Sequence, residues 1–596
     1  MAAVFVPVTF VTGSAGVFYK QFGITLAIAI MISAVNALTL CPALAAMFLK
    51  PPDHTTENKK KTLLSRFSIG FNAAYDALTL KYGRAVKFIS AKTWIVFLVL
   101  ALFAGGFYML MKSTPSSFVP SEDMGTIFVN ISLPPAATME RVQAVDIQVD
   151  SIARTIPQVS NTMRTLGQNF IAGSGSSYGM VIVRLKPWDQ RPGITNDDII
   201  KQLTQKTSAI RGATILFMSQ PTITGFGTSG GFTFQVQDRG AHSTAEFYKV
   251  AQNFLTALNK RPEIQYAATS FNPNFPQYLL TVNVAKCKDA GISVSDVLSA
   301  MQVFYGSVYT SNFNQFGQQY QVIIQADTSY RASTAGLNKI AVKTLDGSMA
   351  PISEFITLKR VYGPETVTRF NLFTSMSVNG SPNPGYSTGQ ALTAIQQTGA
   401  SQLPAGYSFE YSGISREEQN SGSQTVYIFI LCLAFVYLLL SAQYESYLLP
   451  LAVLLSLPVG LSGVFVFAKI FGLDNNIYMQ ISLIMLIGLL AKNAILIVTF
   501  AVERRKQGMG LVESAIEGAK ARLRPILMTS FAFIFGLMPL IFASGVGANG
   551  NRSIGTGAIG GMLFGTLLGV FVIPTLYIIF QGLQERIHVN KYNEEG

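Results

Sequence analysis

Lys492, Asn493, Thr529 and Ser530 are the residues of this chain whose types and spacing suit proton chemistry. Lys492 is the only charge in the apolar run from Tyr478 to Val502. A run of that length can cross a bilayer. At about 1.5 Å of rise per residue, its backbone lies roughly 15 Å from the next charges, Glu503 and Arg504. A lysine stem of about 6 Å does not snorkel that far. An ion held there costs roughly 2.5 kcal/mol or more, so it is either paired and used, or a structural lysine made neutral by burial. The used form points to an ion-coupled membrane transporter. The next basic end, Ala521–Pro525, leads into a helix with Pro525 expected near its first turn. Thr529 and Ser530 follow about one turn inside, at a depth Lys492 could reach. Thr529 either serves the ammonium or bonds its own helix backbone. No Asp or Glu lies within any other expected span, and Glu445 falls in a short loop. A pH-switched pair needs a carboxylate, so either the partner lies outside these residues or Lys492 stays neutral.

Other chemistries find little support. Cys41, Cys287 and Cys432 are far apart, and His54, His242 and His588 make no cluster, so neither a disulfide framework nor a metal site is expected. Gly555, Gly557 and Gly560 match a dinucleotide pattern but open an apolar helix with no strand before it. Gly557, Gly561, Gly565 and Gly569 read better as a smooth stripe for close helix packing. The stretch Leu166–Tyr178 carries three glycines and an apolar tip at Phe170 and Ile171. It suits a mobile loop, although an ordinary loose hairpin is the simpler account of the residues alone.

The elements that must position these residues are apolar spans. Candidates are Phe22–Leu49, Trp94–Met111, Thr425–Ala442, Leu448–Phe467, Tyr478–Val502, Ile526–Phe542 and Ile554–Ile579. Met1–Gly13 is apolar but too short to span and lacks signal-peptide features, so the chain is expected to begin inside a helix, with an N-terminal part missing. The formal charge of +13 is topological in such a protein, not a sign of nucleic-acid binding. Basic residues cluster in 50–92, including Lys59, Lys60, Lys61, Arg66, Lys81, Arg84, Lys87 and Lys92, then in Arg504–Arg524, then in the tail. If those sides are cytoplasmic, span parity places Lys112–Ser423 outside. Within the first cluster, Leu63–Leu78 could lie on the inner leaflet as an amphipathic helix.

The outer segment alternates strand and helix patterns. Ile127, Val129, Ile131 and Leu133 share one strand face, and Val142, Val145, Val149, Ile152 and Ile156 form a helical stripe. Strands at Asn161–Leu166, Met180–Leu185 and Thr214–Ser219 and a helix at Asp197–Ile210 complete a β-α-β-β-α-β order, which suits a split βαβ sandwich. A second copy is divided between Phe232–Phe271 and Ser375–Ser412. A mixed insert, about Gln277–Pro364, separates its halves and carries a polar stretch, Gly306–Gln319. That stretch is either a partner-docking loop or a solvated hairpin.

The segments GLLAKNAILIVTFAVERR, ARLRPILMTSFAFIFGLMPL, SIGTGAIGGM and SFVPSEDMG, with the run from Val4 to Pro51, closely resemble the resistance-nodulation-division (RND) efflux permeases of the hydrophobe/amphiphile, AcrB-like branch. The resemblance implies a proton/drug antiporter rather than an enzyme, with no cofactor beyond the proton gradient. It implies a membrane α-helical bundle plus an α+β periplasmic domain, with split βαβ (ferredoxin-like) porter subdomains and an inserted docking domain. The implied layout is 1–49 as the end of the fifth and the whole sixth span, 50–92 as a cytoplasmic linker and 93–111 as span 7. Porter subdomains would be 112–225 and 226–276 with 365–423, the docking insert 277–364, spans 8–12 residues 424–580 and the tail 581–596. Lys492, Arg522 and Thr529 match proton-relay residues, with Asn493 beside them. Gly167, Phe170, Ile171, Gly173, Gly175, Tyr178 and Ile182 fall in or beside the Gly167–Gly179 segment, which matches a switch loop at the drug pocket.

Implied partners are two further copies in a homotrimer, a periplasmic membrane-fusion adaptor, an outer-membrane channel, the lipid of the bacterial inner membrane and a missing N-terminal half, with no nucleic acid. The family's paired relay aspartates lie in spans absent here. Ile171 and Ile182 stand where aromatics are usual, and Thr499 where an acid is frequent. Alternatives are a truncated or half-transporter inactive alone, a non-transporting membrane scaffold and a cation-exporting RND relative.

Overall fold

The computed structural model describes residues 2–49, 63–227 and 230–594. It divides into two compact units. One comprises Met1–Leu133, Met139–Ser270 and Thr368–Gly596, and the other Pro134–Thr138 and Phe271–Val367.

The larger unit opens on two 3-10 turns, Ala2–Phe5 and Pro7–Phe10, not on the regular helix expected there. Proline without an N–H and Gly13 in the left-handed region (φ +80°) delay the first helix. Helices α1 (Gly13–Leu38) and α2 (Leu40–Phe48) then form one apolar stretch, and α3 (Leu63–Ala91) and α4 (Thr93–Ser113) follow. Lys59, Lys60 and Lys61, expected in a basic linker, lie outside the described residues.

Next come β1 (Thr126–Ser132), α5 (Met139–Arg154), β2 (Val159–Asn169), β3 (Gly173–Leu185), α6 (Asn196–Thr207) and β4 (Thr214–Ser219). The sheet order is β2-β3-β1-β4, with every pairing antiparallel. Ile127, Val129 and Ile131 are buried on one face, as the period-two reading required. A second group contributes β5 (Phe232–Asp238), α7 (Thr244–Leu258) and β6 (Ile264–Thr269).

The smaller unit holds β7 (Phe275–Val282), α8 (Val284–Asp289), α9 (Val294–Met301), β8 (Val308–Gln315), β9 (Gln318–Ile324), α10 (Thr328–Arg331), β10 (Ala341–Lys343), β11 (Met349–Pro351) and β12 (Ile356–Gly363). Its own core gathers Cys287, Ile292, Val297, Ile340, Ile352 and Phe355. Of the two readings of Gly306–Gln319 the hairpin is found: its residues from Val308 on belong to an exposed β8–β9 hairpin, closed by Phe316 and Gly317.

The larger unit resumes with β13 (Thr368–Phe370), β14 (Phe373–Pro382), α11 (Thr388–Gln402) and β15 (Tyr407–Tyr411). In the second sheet β6 pairs β14, β14 pairs β5 and β5 pairs β15. Taken in chain order, its four main strands lie in the same spatial order as those of the first sheet. The chain ends in α12 (Gly413–Tyr444), α13 (Leu449–Leu454), α14 (Leu457–Ile470), α15 (Ile477–Lys506), α16 (Leu511–Ile541), α17 (Ala548–Leu567) and α18 (Gly569–Glu594).

All seven expected spans coincide with helical segments long and apolar enough to cross a membrane, the last as a pair bent by 55° after Leu567. Two boundaries differ from the sequence reading. Helix α12 starts a dozen residues before its apolar part. Helix α16 starts at Leu511, so Pro525 sits in its interior and not in its first turn. A lead-in of good helix formers after Gly518, AKARLR, carries α16 up to the proline.

Candidate functional site

The glycine stripe of α17 sets the rotation of α15. A Cβ at Gly561 would lie 2.2 Å from a Leu486 methyl, and one at Gly565 2.2 Å from a Leu490 methyl. One at Gly557 would meet Ser482 Oγ at 2.4 Å. Only glycine lets α15 seat this closely. Leu490 therefore faces α17. Asn493, three residues on, shares that face, while Lys492 is turned roughly 160° from it at 3.6 residues per turn.

Asn493 is buried, and its Nδ2 donates to Ser530 Oγ of α16 at 3.3 Å. Thr566 Oγ1 of α17 donates to the same Ser530 Oγ at 2.8 Å. Three helices thus meet at one hydroxyl inside an apolar bundle. Thr566 was invisible to sequence reasoning because a lone Thr in a span is ordinarily bonded to its own backbone.

Lys492 is half-buried and makes no hydrogen bond or ion pair among the described residues. Leu489, Lys492, Leu496 and Thr499 recur at three- and four-residue spacing and are all less covered than the opposite face of α15. Thr529 is exposed and donates to Ile526 O at 3.1 Å, so of its two expected fates it takes the bond to its own helix. Arg522 lies over the Phe500 ring at 4.6 Å, with its Nε buried and unpartnered. The structure therefore joins Asn493 to Ser530 but does not join Lys492, Arg522 and Thr529 to one another.

The second group of candidate residues forms a hairpin. Strands β2 and β3 continue into Gly167–Gly179, with Gln168 opposite Ser174 and Asn169 opposite Gly173. Gly167 (φ +78°) sits at a bulge and Gly173 (φ +87°) closes the turn, conformations that glycine adopts freely. Asn169 Oδ1 accepts from the N–H groups of Ile171 (3.1 Å) and Ala172 (2.6 Å), while its Nδ2 donates to Ile131 O (3.1 Å). The Phe170 N–H donates to Asn130 Oδ1 at 2.9 Å, and the Phe170 ring meets Phe128 edge-on at 4.8 Å. Ser270 Oγ donates to Ile171 O at 2.9 Å. By strand alternation Tyr178, Ile182 and Phe128 share the sheet face opposite α5. Gly175 lies between them and the turn on β3. The tip thus rests on that face, pinned by two asparagines. Phe128 belongs with these residues, and its signal was a large aromatic at the off-phase position of a buried strand.

A family model described as the AcrB/AcrD/AcrF family matches residues 1–581. This chain belongs to that family. It is 36% identical over 589 residues to the toluene efflux pump membrane transporter TtgB of Pseudomonas putida, covering 98% of this chain and 55% of that protein. It is 34% identical over 590 residues to the multidrug export protein AcrF of Escherichia coli, covering 98% of this chain and 56% of that protein. The chain thus spans about half the length of the curated relatives it matches.

One acidic group of this AcrB-like chain also escaped the sequence reading. Glu418 lies on the part of α12 that precedes its apolar span, and Thr388 Oγ1 donates to it at 2.8 Å. Burial pushes its carboxyl up to about 7; the Thr388 and Phe118 donors oppose the shift and nearby Asp474 adds to it. Glu418 borders a cavity of about 170 Å³ with Ser116, Thr393, Gln396 and Tyr411. Nothing in the sequence around Glu418 distinguishes it from its neighbour Glu417.

Proposed function

We propose that this chain is the C-terminal part of an RND efflux permease. The complete protein would export hydrophobic and amphiphilic compounds by proton antiport, as a homotrimer in the bacterial inner membrane, joined to a periplasmic adaptor and an outer-membrane channel. The observation that carries the reading is Lys492. It is a lysine in the middle of an apolar span, next in the chain to Asn493 of the buried Asn493–Ser530–Thr566 cluster, with no partner of its own among the described residues. Such a residue is retained for use, because it otherwise only costs stability. The family match and the relatives named for toluene efflux and multidrug export support the substrate class.

In this reading Lys492 carries the proton-linked charge, with Asn493, Arg522 and Thr529 as its setting, and a carboxylate partner comes from helices of an N-terminal half. The uncovered faces that bear Lys492 and Thr529 would receive those helices. The two sheets of matching strand order, with their helices, are the ferredoxin-like porter subdomains, and the smaller unit is the docking insert. The hairpin bearing Gly167, Phe170, Ile171, Gly173, Gly175 and Tyr178, with Ile182 at its base, is the switch loop and contacts substrate.

The test is expression of residues 1–596 with and without the N-terminal half of a close family member. The chain alone should give no drug resistance and no proton-dependent dye efflux, and co-expression should give both. Proton-dependent efflux by the lone chain would overturn the proposed need for a partner.

A further inference from the structure

Beneath the hairpin lies a buried acid that the relay does not use. Asp146 projects from α5 and is fully buried. Both its carboxylate oxygens lack a hydrogen-bond partner. It fits only because residue 179 has no side chain: a Cβ on Gly179 would fall 2.5 Å from Asp146 Oδ1 and 2.7 Å from a Val142 methyl. Four residues along the same helix face, Asp150 is the opposite case. It accepts from Thr162 and from Arg154 Nε at 3.1 Å, and Arg164 Nε lies 3.9 Å away. Two acids one turn apart thus have opposed surroundings, one saturated with donors and one with none.

The charged groups around Asp146 leave one candidate to answer it. Helix α5 packs on β1, β2, β3 and α6. Strand β1 has no charged residue, and Arg184 of β3 lies on the opposite sheet face by strand alternation. On α6, Asp197, Asp198 and Lys201 interact with one another and with Asp123, and Lys206 reaches Thr155 near the C-terminal end of α5. On α5 itself, Glu140 and Arg141 lie more than a turn away, and Arg154 is held by Asp150. On β2, Arg164 is half-exposed and shares the α5-facing side with Leu166. Asp150 does not depend on Arg164, since Thr162 and Arg154 already serve it.

We propose that Asp146 is a protonation-controlled latch on the Asn169–Gly173 hairpin tip. As the neutral acid it lies against the Gly179 backbone, and the tip stays seated on Phe128. When it loses its proton to solvent, the bare carboxylate in an apolar layer must gain a donor. Arg164 swings from Asp150 to Asp146, pulling on β2 three residues before the Gly167 bulge and unseating Phe170. Burial lifts the Asp146 carboxyl to about 7, with Arg164 opposing the shift, so the latch works in the physiological range. Its consequence for export rests on the switch-loop reading above; the latch itself does not.

The test uses the full chain in lipid nanodiscs, with Cys41→Ala and a bimane label on Ser174→Cys at the exposed side of the hairpin. Bimane emission should change with pH as a one-proton transition near 7. Asp146→Asn, which mimics the neutral acid in shape, should abolish the transition and hold the low-pH signal throughout. Arg164→Gln should move the midpoint upward, because the charged form loses its only donor. Circular dichroism and an Asp146→Ser variant establish that the altered titration is not unfolding. An unchanged transition in both folded Asp146 variants, or no transition in the parent, overturns the latch. A normal transition whose loss leaves export by the completed pump unaltered would instead count against the switch-loop reading.

Discussion

Asn493 and Ser530 are hydrogen-bonded across α15 and α16, and Thr566 of α17 closes on the same Ser530 hydroxyl. One small side chain therefore joins three helices next to Lys492. Ser530→Ala orphans both partners inside the bundle. A loss of roughly 1–2 kcal/mol is expected, measured by thermal unfolding in detergent. Thr529→Ala, which removes only a bond to its own helix on an exposed face, should stay within about 0.5 kcal/mol. Equal losses in the two variants would mean that the cluster is not what holds the helices.

The first sheet-bearing segment holds an ion pair that the sequence did not reveal. Arg191 is fully buried and grips Asp123 through Nη1 and Nη2 at 2.7 and 2.8 Å, and its Nε donates to Lys186 O. Burial would raise the Asp123 carboxyl, but the Arg191 fork and the Gly125 and Asn196 N–H groups hold it below its ordinary range. The stability this pair lends is present above the ordinary carboxylate range and is lost as pH falls through the depressed folded value. Arg191→Ala should cost about 1–3 kcal/mol, because a half-buried carboxylate loses its fork and keeps only the Gly125 and Asn196 N–H groups. Asp123→Asn should flatten the acid limb of the unfolding profile, and an unaltered acid limb would contradict this assignment.

Much of the fold was legible because hydrophobic period is a direct image of burial. The spans and the alternating strand at Thr126–Ser132 announced themselves that way. What the sequence hid depends on long-range contact. Gly179 reads as one more loop glycine until Asp146 is seen against it. Pro525 reads as a helix start because proline is tolerated in a first turn, and here the helix runs through it. Of the candidate site, Lys492 stands out by its charge in an apolar run. The Ser530 junction does not, since which hydroxyl faces which helix is decided by the glycine stripe on α17.

The proposed periplasmic placement of Lys112–Ser423 can be tested chemically. Single cysteines at Ser174 and Ser311, both exposed, should react with an impermeant thiol reagent added outside intact cells with a permeabilised outer membrane. One at exposed Lys81 should react only after the inner membrane is opened. Reversed labelling would invert the topology.

The seating of Phe170 on Phe128 makes the hairpin a defined surface rather than a loose flap. In a completed pump, Phe170→Ala should lower export of bulky substrates more than of small ones, with trimer assembly intact on native gels. Uniform export across a panel graded by size would remove the hairpin from the substrate path.

In the proposed pump, Lys492 links proton movement to export. In proteoliposomes holding the completed pump under an imposed pH gradient, substrate-stimulated proton flux and dye export are measured together. Lys492→Ala should lose both in parallel while folding and assembly persist. Export and proton flux that remain coupled without the lysine would contradict the claim.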